Sequence, residues 1–273
     1  MIAVASGKGG TGKSFFATNL AVALSRSMRV VLVDCDYGLG NDHLLLGTTP
    51  NVTLADVVAG RTSATAALMH TEHGPSLLPG GSGVSSMLEM TDAELGALGQ
   101  ALGELSSACD QLILDLGAGI SPQVVLTSLA AQQVALVTNP DLAALTDAYA
   151  LVKCLARQSI RPIVGVVVNR VVGPPGDLGP RTFAKLAEVA QRFSGYPLHY
   201  LGEIPDDPAV AQRRLGQPPI VVSHPECAIA AAFDAVRGRL QELAGGLGAG
   251  PRAPGATVAA RFGASIPQRR MRD

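Results

Sequence analysis

Short apolar runs alternate with longer stretches in which apolar positions recur every three or four residues, from the first residues to about residue 243. The short runs predict strands at Ile2–Ala5, Arg29–Val33, Ser76–Leu78, Gln111–Leu114, Val134–Thr138, Ile163–Val168 and, more weakly, Leu198–Leu201. The periodic stretches predict helices over Lys13–Ser25, Leu95–Leu105, Val124–Ala131, Leu142–Ala156 and Arg181–Phe193, with a closing helix from Cys227 to Leu243. Strand, helix, strand in repeated order implies right-handed crossovers, and hence an α/β fold of three layers: a mostly parallel sheet flanked by helices. Such sheets bind ligands at the carboxyl ends of their strands. From Gly245 the chain turns to Gly, Ala, Pro and Arg, which supports no packed structure. The expected organisation is therefore one domain over residues 1–244 and a flexible basic tail over 245–273.

Composition narrows this picture. The 273 residues are 47% hydrophobic and contain no Trp, and Ala, Val, Leu and Gly dominate, as suits a parallel sheet covered on both faces. Net charge is −1, but the tail from Gly245 carries +4 and the body −5. An acidic body argues against DNA as a partner unless the tail supplies the contacts. Cysteines 35, 109, 154 and 227 show no Cys-x-x-Cys spacing, so neither a zinc site nor a redox pair is indicated, and a reducing cytosol suits them. His70 and His73 read as surface residues of a turn-rich stretch. No apolar run reaches membrane-spanning length, and the chain opens in a strand with no charged-then-apolar leader.

The candidate chemistry is concentrated in three segments. Gly7-Lys8-Gly9-Gly10-Thr11-Gly12-Lys13-Ser14 follows the first strand and opens the first helix. Glycines 7 and 12 let the backbone curl and aim its N–H groups at phosphate oxygens, Lys13 reaches the β- and γ-phosphates, and Ser14 holds Mg²⁺. The helix N-terminus adds its dipole. The candidate nucleotide contacts are thus Gly7, Lys8, Gly9, Gly10, Thr11, Gly12, Lys13, Ser14 and the adjoining Phe15. At the end of the second strand, Asp34 and Asp36 share a face by alternation while Cys35 points into packing. Two carboxylates beside a phosphate loop can hold Mg²⁺ and orient water; elsewhere such aspartates are commonly turn or cap residues. Gln111-Leu112-Ile113-Leu114 delivers Asp115 at a strand end, suited to reach Mg²⁺ through water, with Gly119 free to follow the γ-phosphate. The alternative makes Asp115 a cap for a helix starting near Ser121. The metal set expected is Ser14, Asp34 and Asp115.

Lys8 is one lysine more than an ordinary phosphate loop needs. Lys-Gly-Gly-Thr-Gly-Lys-Ser resembles the deviant Walker A motif of the MinD/ParA superfamily, in which the early lysine crosses a dimer interface to the partner's nucleotide. That resemblance implies a P-loop NTPase fold, ATP/ADP and Mg²⁺ as cofactors, weak ATP hydrolysis, and a homodimer in the ATP state with Lys8 acting catalytically across it. Asp34-Cys35-Asp36-Tyr37-Gly38-Leu39 resembles switch I of MinD-like ATPases, which assigns Asp36 the positioning of the hydrolytic water and Asp34 a supporting place near Mg²⁺. Asp115 through Gly119 is similar to switch II. Asn169 occupies the place where related ATPases read the adenine edge, and Pro205-Asp206-Asp207 resembles the segment flanking the base; both could instead be plain turn chemistry.

Over residues 1–243 the outer motifs resemble the FlhG/FleN (YlxH) branch of MinD-like ATPases. They are Thr138-Asn139-Pro140-Asp141 through Leu151, Leu78-Pro79-Gly80-Gly81-Ser82-Gly83, and Gly202-Glu203-Ile204-Pro205. The branch implies control of flagellar number and placement together with a flagellar GTPase and flagellar transcription regulators. It often carries an N-terminal extension with an Asp-Gln-Ala-type motif, which this sequence does not show before Met1, and a C-terminal membrane-targeting helix. The tail offers Val258, Phe262 and Ile266 at helical spacing, beside Arg261, Arg269, Arg270 and Arg272, with Pro267 cutting the helix short. The expectation is a cytoplasmic protein with weak peripheral contact at the inner face of the membrane through anionic lipid. A ParA-type DNA-partitioning ATPase is the alternative reading. A metallocluster carrier would need paired cysteines, which the spacing does not offer.

Overall fold

A computed structural model describes residues 1–38, 40–81, 90–214 and 216–246. The expectations that fall on Leu39, Ser82 and Gly83, and those on the tail from residue 247, lie outside the described residues. One eight-stranded sheet in the order β3-β4-β2-β5-β1-β6-β7-β8 runs through the molecule. Its central strands are β1 (Ile2–Ser6), β2 (Val30–Cys35), β5 (Gln111–Ala118), β6 (Gln133–Thr138), β7 (Ile163–Val171) and β8 (Leu198–Pro205), all paired in parallel. β4 (Ser76–Leu78) continues the parallel set, and the two-residue β3 (Met69–His70) closes that edge in antiparallel sense. Residue alternation sorts the strands' side chains between two cores. Ala3, Val31, Val33, Leu112, Leu114 and Val166 face one layer, whereas Ile2, Val4, Val30, Leu32, Ile113 and Val137 face the other.

The second layer is built around α1 (Lys13–Ser25), with α9 (Ile220–Ser223) and α10 (Ala228–Gly246) against it. α1 is buried nearly all round, from Phe16 through Leu24, because sheet and helices close over it; Phe16 stacks on Phe233 of α10 with centroids 5.5 Å apart. The first layer contains α3 (Leu54–Val58), α4 (Asp92–Ala108), α5 (Pro122–Ala130), α6 (Leu142–Ala156) and α7 (Leu178–Ser194). Short α2 (Asp42–Leu45) and α8 (Pro208–Ala211) lie at the strand ends that carry the chemistry.

Several elements differ from the expectations for one reason. Strands β2, β5 and β7 run past their apolar runs and take in Asp34, Asp115 and Asn169, since ladder pairing is a property of the backbone and continues where the side chains become polar. Asp115 therefore sits inside a strand, opposite Val4 on one side and Asp34 on the other, rather than at its end. β3 and the four- or five-residue helices α2, α3, α8 and α9 are too short to display a period and were not expected. His70 belongs to edge strand β3 rather than to a turn, and it is exposed.

Candidate functional site

Gly12 is the N-cap of α1 in the left-handed region, φ 88°, and Gly10 has φ 79°, so the loop turns where only glycine does so without strain. Gly7 has a different reason. A β-carbon there would lie 2.1 Å from the carbonyl carbon of Asp147, so the loop is seated directly on the backbone of α6. Thr11 is buried, whereas Gly9 and Gly10 are exposed.

Alternation aims Asp34 and Asp115 at the α1 face of the sheet, where Lys13 enters from the helix start. Lys13 Nζ donates to Asp115 Oδ1 at 2.8 Å, and Ser14 Oγ lies 3.5 Å from the same ammonium. Both partners are almost wholly buried, 6% and 1% exposed. Burial disfavours the Lys13 ammonium, yet Asp115 beside it overrides that and holds its pKa above the ordinary value. Asp115 is pushed upward by burial, against the pull of Lys13. The contact is a direct charge-assisted bond in which each partner favours the charged form of the other. Asp115 is not a helix cap: Ser121 caps α5 with its own side chain, accepting from the Val124 amide.

Asp34 is fully buried and is pushed up to about 7 by burial and then by the charge of Asp115. Its oxygens accept from the amides of Asp36, 3.0 Å, and Asp42, 3.3 Å, so this carboxylate pins the turn that follows β2. Gly40 is forced by that arrangement, since a β-carbon there would meet Asp34 Oδ2 at 2.5 Å. Asp36 lies one residue beyond the strand. It is half-buried, and with Tyr37, Gly38, Gly117, Ala118 and Ser121 it lines a cleft between the turn after β2 and the end of β5. The expected shared face of Asp34 and Asp36 is thus a strand residue and a turn residue joined through the Asp36 amide.

Asn169 and Pro205 come together with Gly12, Phe15, Ile204 and Val210 around a second cleft. Asn169 Nδ2 donates to the carbonyl of Thr11 at 2.7 Å, tying β7 to the phosphate loop across 158 residues of sequence. Lys8 is directed elsewhere: its ammonium is 3.0 Å from Asp141 Oδ1, at the N-cap of α6.

Two acidic residues were missed by sequence reasoning. Asp141 was noted only as part of a run, and its cap position was the available signal. Asp42 carried no signal, since an aspartate starting a four-residue helix reads as a cap; here it is fully buried beside the site. Among the described residues, no group of three or more His, Cys, Asp or Glu side chains is placed to hold a metal by itself. The donors present still suit Mg²⁺. Ser14 Oγ, Asp115 Oδ2 and the Asp42 oxygens are hard oxygen ligands; the carboxyl oxygens are buried, and Asp42 lies within hydrogen-bond reach of Asp115. Mg²⁺ is usually completed by one or two carboxylates, water and substrate phosphates.

Comparisons with known proteins agree with this geometry. Residues 2–219 match the family model of the CobQ/CobB/MinD/ParA nucleotide binding domain. The chain is 39% identical over 237 residues to the antiactivator FleN of Pseudomonas aeruginosa, covering 86% of this chain and 84% of that protein. It is 33% identical over 207 residues to the flagellum site-determining protein YlxH of Helicobacter pylori, with 74% and 68% covered. The septum site-determining protein MinD of Pyrococcus horikoshii, solved with Mg-ADP, superposes with a TM-score of 0.72 at 31% identity, covering 89% of this chain and 96% of that one. The chain belongs to the CobQ/CobB/MinD/ParA family and is a MinD/ParA-type ATPase.

Proposed function

We propose that this MinD/ParA-type ATPase is a dimerisation switch that binds and slowly hydrolyses ATP and regulates flagellar number or placement. The observation that carries the reading is the buried Lys13–Asp115 pair beneath a loop whose turns depend on glycine. Gly7 through Ser14, with Phe15, bind the nucleotide; Lys13 is placed to exchange Asp115 for phosphate oxygens. Ser14 and Asp115 hold Mg²⁺, and Asp34 supports them by fixing the turn after β2. When bound, Mg²⁺ neutralises charge on the phosphates. Asn169 and Pro205 border the base cleft. Asp36 orients the attacking water in the cleft between the switches.

Lys8, one-third exposed and paired with Asp141, reaches the nucleotide of a second copy in the ATP state. The similarity to FleN and YlxH supports flagellar partners, a GTPase or a transcription regulator, in the cytoplasm. Among the described residues no helix is long and apolar enough to cross a membrane, and peripheral contact is assigned to the tail over 245–273. The test is Asp36→Ala. That variant should keep ATP affinity, lose turnover, and double its mass by light scattering with ATP but not with ADP. Retained turnover refutes the role given to Asp36, and equal mass with both nucleotides refutes the switch.

A further inference from the structure

The carbonyl of Thr11, inside the phosphate loop, is held from two strands at once. Asn169 Nδ2 donates to it at 2.7 Å. The amide of Asn139 is oriented by its neighbours, since only with nitrogen toward the loop are both of its polar atoms satisfied; it then donates to the Thr11 carbonyl at 3.2 Å and to the Thr138 carbonyl at 3.3 Å. Register builds this meeting. Thr138 of β6 pairs with Val168 of β7, so the two asparagines are the next residues of neighbouring parallel strands. Two positions on from Val137 and Val167, they fall on the α1 face of the sheet, where the loop lies. Thr11 is 1% exposed, and among the described residues its hydroxyl has no hydrogen-bond partner. Its backbone oxygen, not its side chain, is what fastens it.

We propose that Asn139 is a positioning residue of the phosphate loop, acting with Asn169 as a paired amide clamp that presets the Thr11–Gly12 peptide for phosphate. The proposal rests on the nucleotide reading above. In a trans peptide the carbonyl and the following N–H point in opposite directions, so a Thr11 oxygen fixed toward β6 and β7 turns the Gly12 N–H away from them, into the loop. The clamp also touches the residue that it aims. Gly12 is the left-handed N-cap of α1, and a β-carbon there would lie 2.3 Å from Asn169 Nδ2. Either donor alone keeps the buried oxygen satisfied. Loss of both leaves it unpaired, and the peptide is then free to rotate toward another donor, which phosphate binding must undo. Asn139 is not among the residues that line the cleft around Asn169 and Pro205, so its effect reaches the nucleotide through the phosphates rather than the base.

The experiment compares the full chain with Asn139→Ala, Asn169→Ala and the double variant, each checked for folding by thermal melting. Affinities for ADP, GDP and inorganic pyrophosphate are measured with Mg²⁺, and the Gly12 amide resonance of the ligand-free chain is followed by nuclear magnetic resonance. Each single variant should lose about threefold in ADP affinity and the double variant about 100-fold, roughly tenfold beyond the product of the two, because both donors serve one acceptor. In Asn139→Ala the loss should be the same for pyrophosphate, the preference for ADP over GDP should be unchanged, and the Gly12 amide should shift. Losses that only multiply, an altered ADP preference in Asn139→Ala, or an unmoved Gly12 amide overturns the proposal. If the double variant does not fold, the pyrophosphate loss and the Gly12 shift of Asn139→Ala decide. An unaltered chain that binds neither ADP nor pyrophosphate refutes the nucleotide reading itself, and the Gly12 amide then tests the clamp without any ligand.

Discussion

At the ends of β2 and β5, three carboxyl groups and the Lys13 ammonium are sealed from solvent. Across β1, at the ends of β7 and β8, the cleft is lined by Phe15, Ile204, Pro205 and Val210, its buried polar contact is the neutral bond from Asn169 to Thr11, and its charges are the exposed Arg170 and Asp206 and the half-buried Asp207. In the proposed nucleotide site the two ends serve one ligand on different terms. The phosphate end holds charge whose balance must be rebuilt when ligand and metal arrive, so its residues are coupled and single changes are expensive. The base end is already satisfied, so it contributes packing and one replaceable hydrogen bond.

The largest expected effect is at the phosphate end. Lys13→Met strips the buried carboxylates of their cation, which should cost about 3 kcal/mol of stability without ligand, within the range for breaking a buried pair from one side. Nucleotide affinity should fall about 100-fold in the same variant, as a charge-assisted phosphate contact is lost. Denaturant unfolding and nucleotide titration read the two losses separately. A cost below about 1 kcal/mol would mean that the carboxylates are already neutral, and the contrast between the two ends would collapse.

Asn169→Ala should be milder. It removes one neutral bond to the Thr11 carbonyl, worth about 1 kcal/mol. With its amide turned so that nitrogen faces Thr11 O at 3.2 Å, Asn139 offers a second donor to the same carbonyl, which softens the loss. Nucleotide affinity should drop less than about tenfold, with the Mg²⁺ requirement unchanged. A changed Mg²⁺ requirement, seen in the same ADP titrations, would show that the two ends are coupled through the loop.

The difference also explains what could be read in advance. The phosphate loop is contiguous, so Lys13, Ser14 and the left-handed Gly12 were legible from eight residues and their flanking elements. The reason for Gly7 was not legible, because the clash it avoids is with α6, some 140 positions further along. From sequence Asp115 reads as a residue that reaches metal through water, or as a cap; its bond to Lys13 depends on β1 and β5 lying side by side. Asp42 was illegible for a local reason, since a four-residue helix shows no face and its opening aspartate resembles a cap. The base end was legible only through resemblance. Asn169 and Pro205 belong to neighbouring strands and meet Phe15 through folding alone.

The smallest effect is expected where neither condition holds, at the half-exposed pair of Lys8 and Asp141. Asp141 does two things: it accepts the Ala144 amide as N-cap of α6, and it holds the Lys8 ammonium. Asp141→Asn keeps a good capping group and removes the charge, so the loss should stay under about 1 kcal/mol, the scale of a solvent-screened pair. The backbone bond to Ala144, and then Lys8, hold the Asp141 carboxyl below the usual carboxylate range. A depressed pKa contributes stability that is present above the unfolded-state value of 3.8 and is lost as pH falls through the folded value. The difference between Asp141→Asn and the unaltered chain should therefore be constant near neutrality and shrink below pH of about 4, and salt should shrink it at neutral pH as well. Urea unfolding at several pH values and at two salt concentrations reads all three. A loss of several kcal/mol, or one indifferent to salt, would place this pair with the buried charge of the phosphate end rather than apart from it.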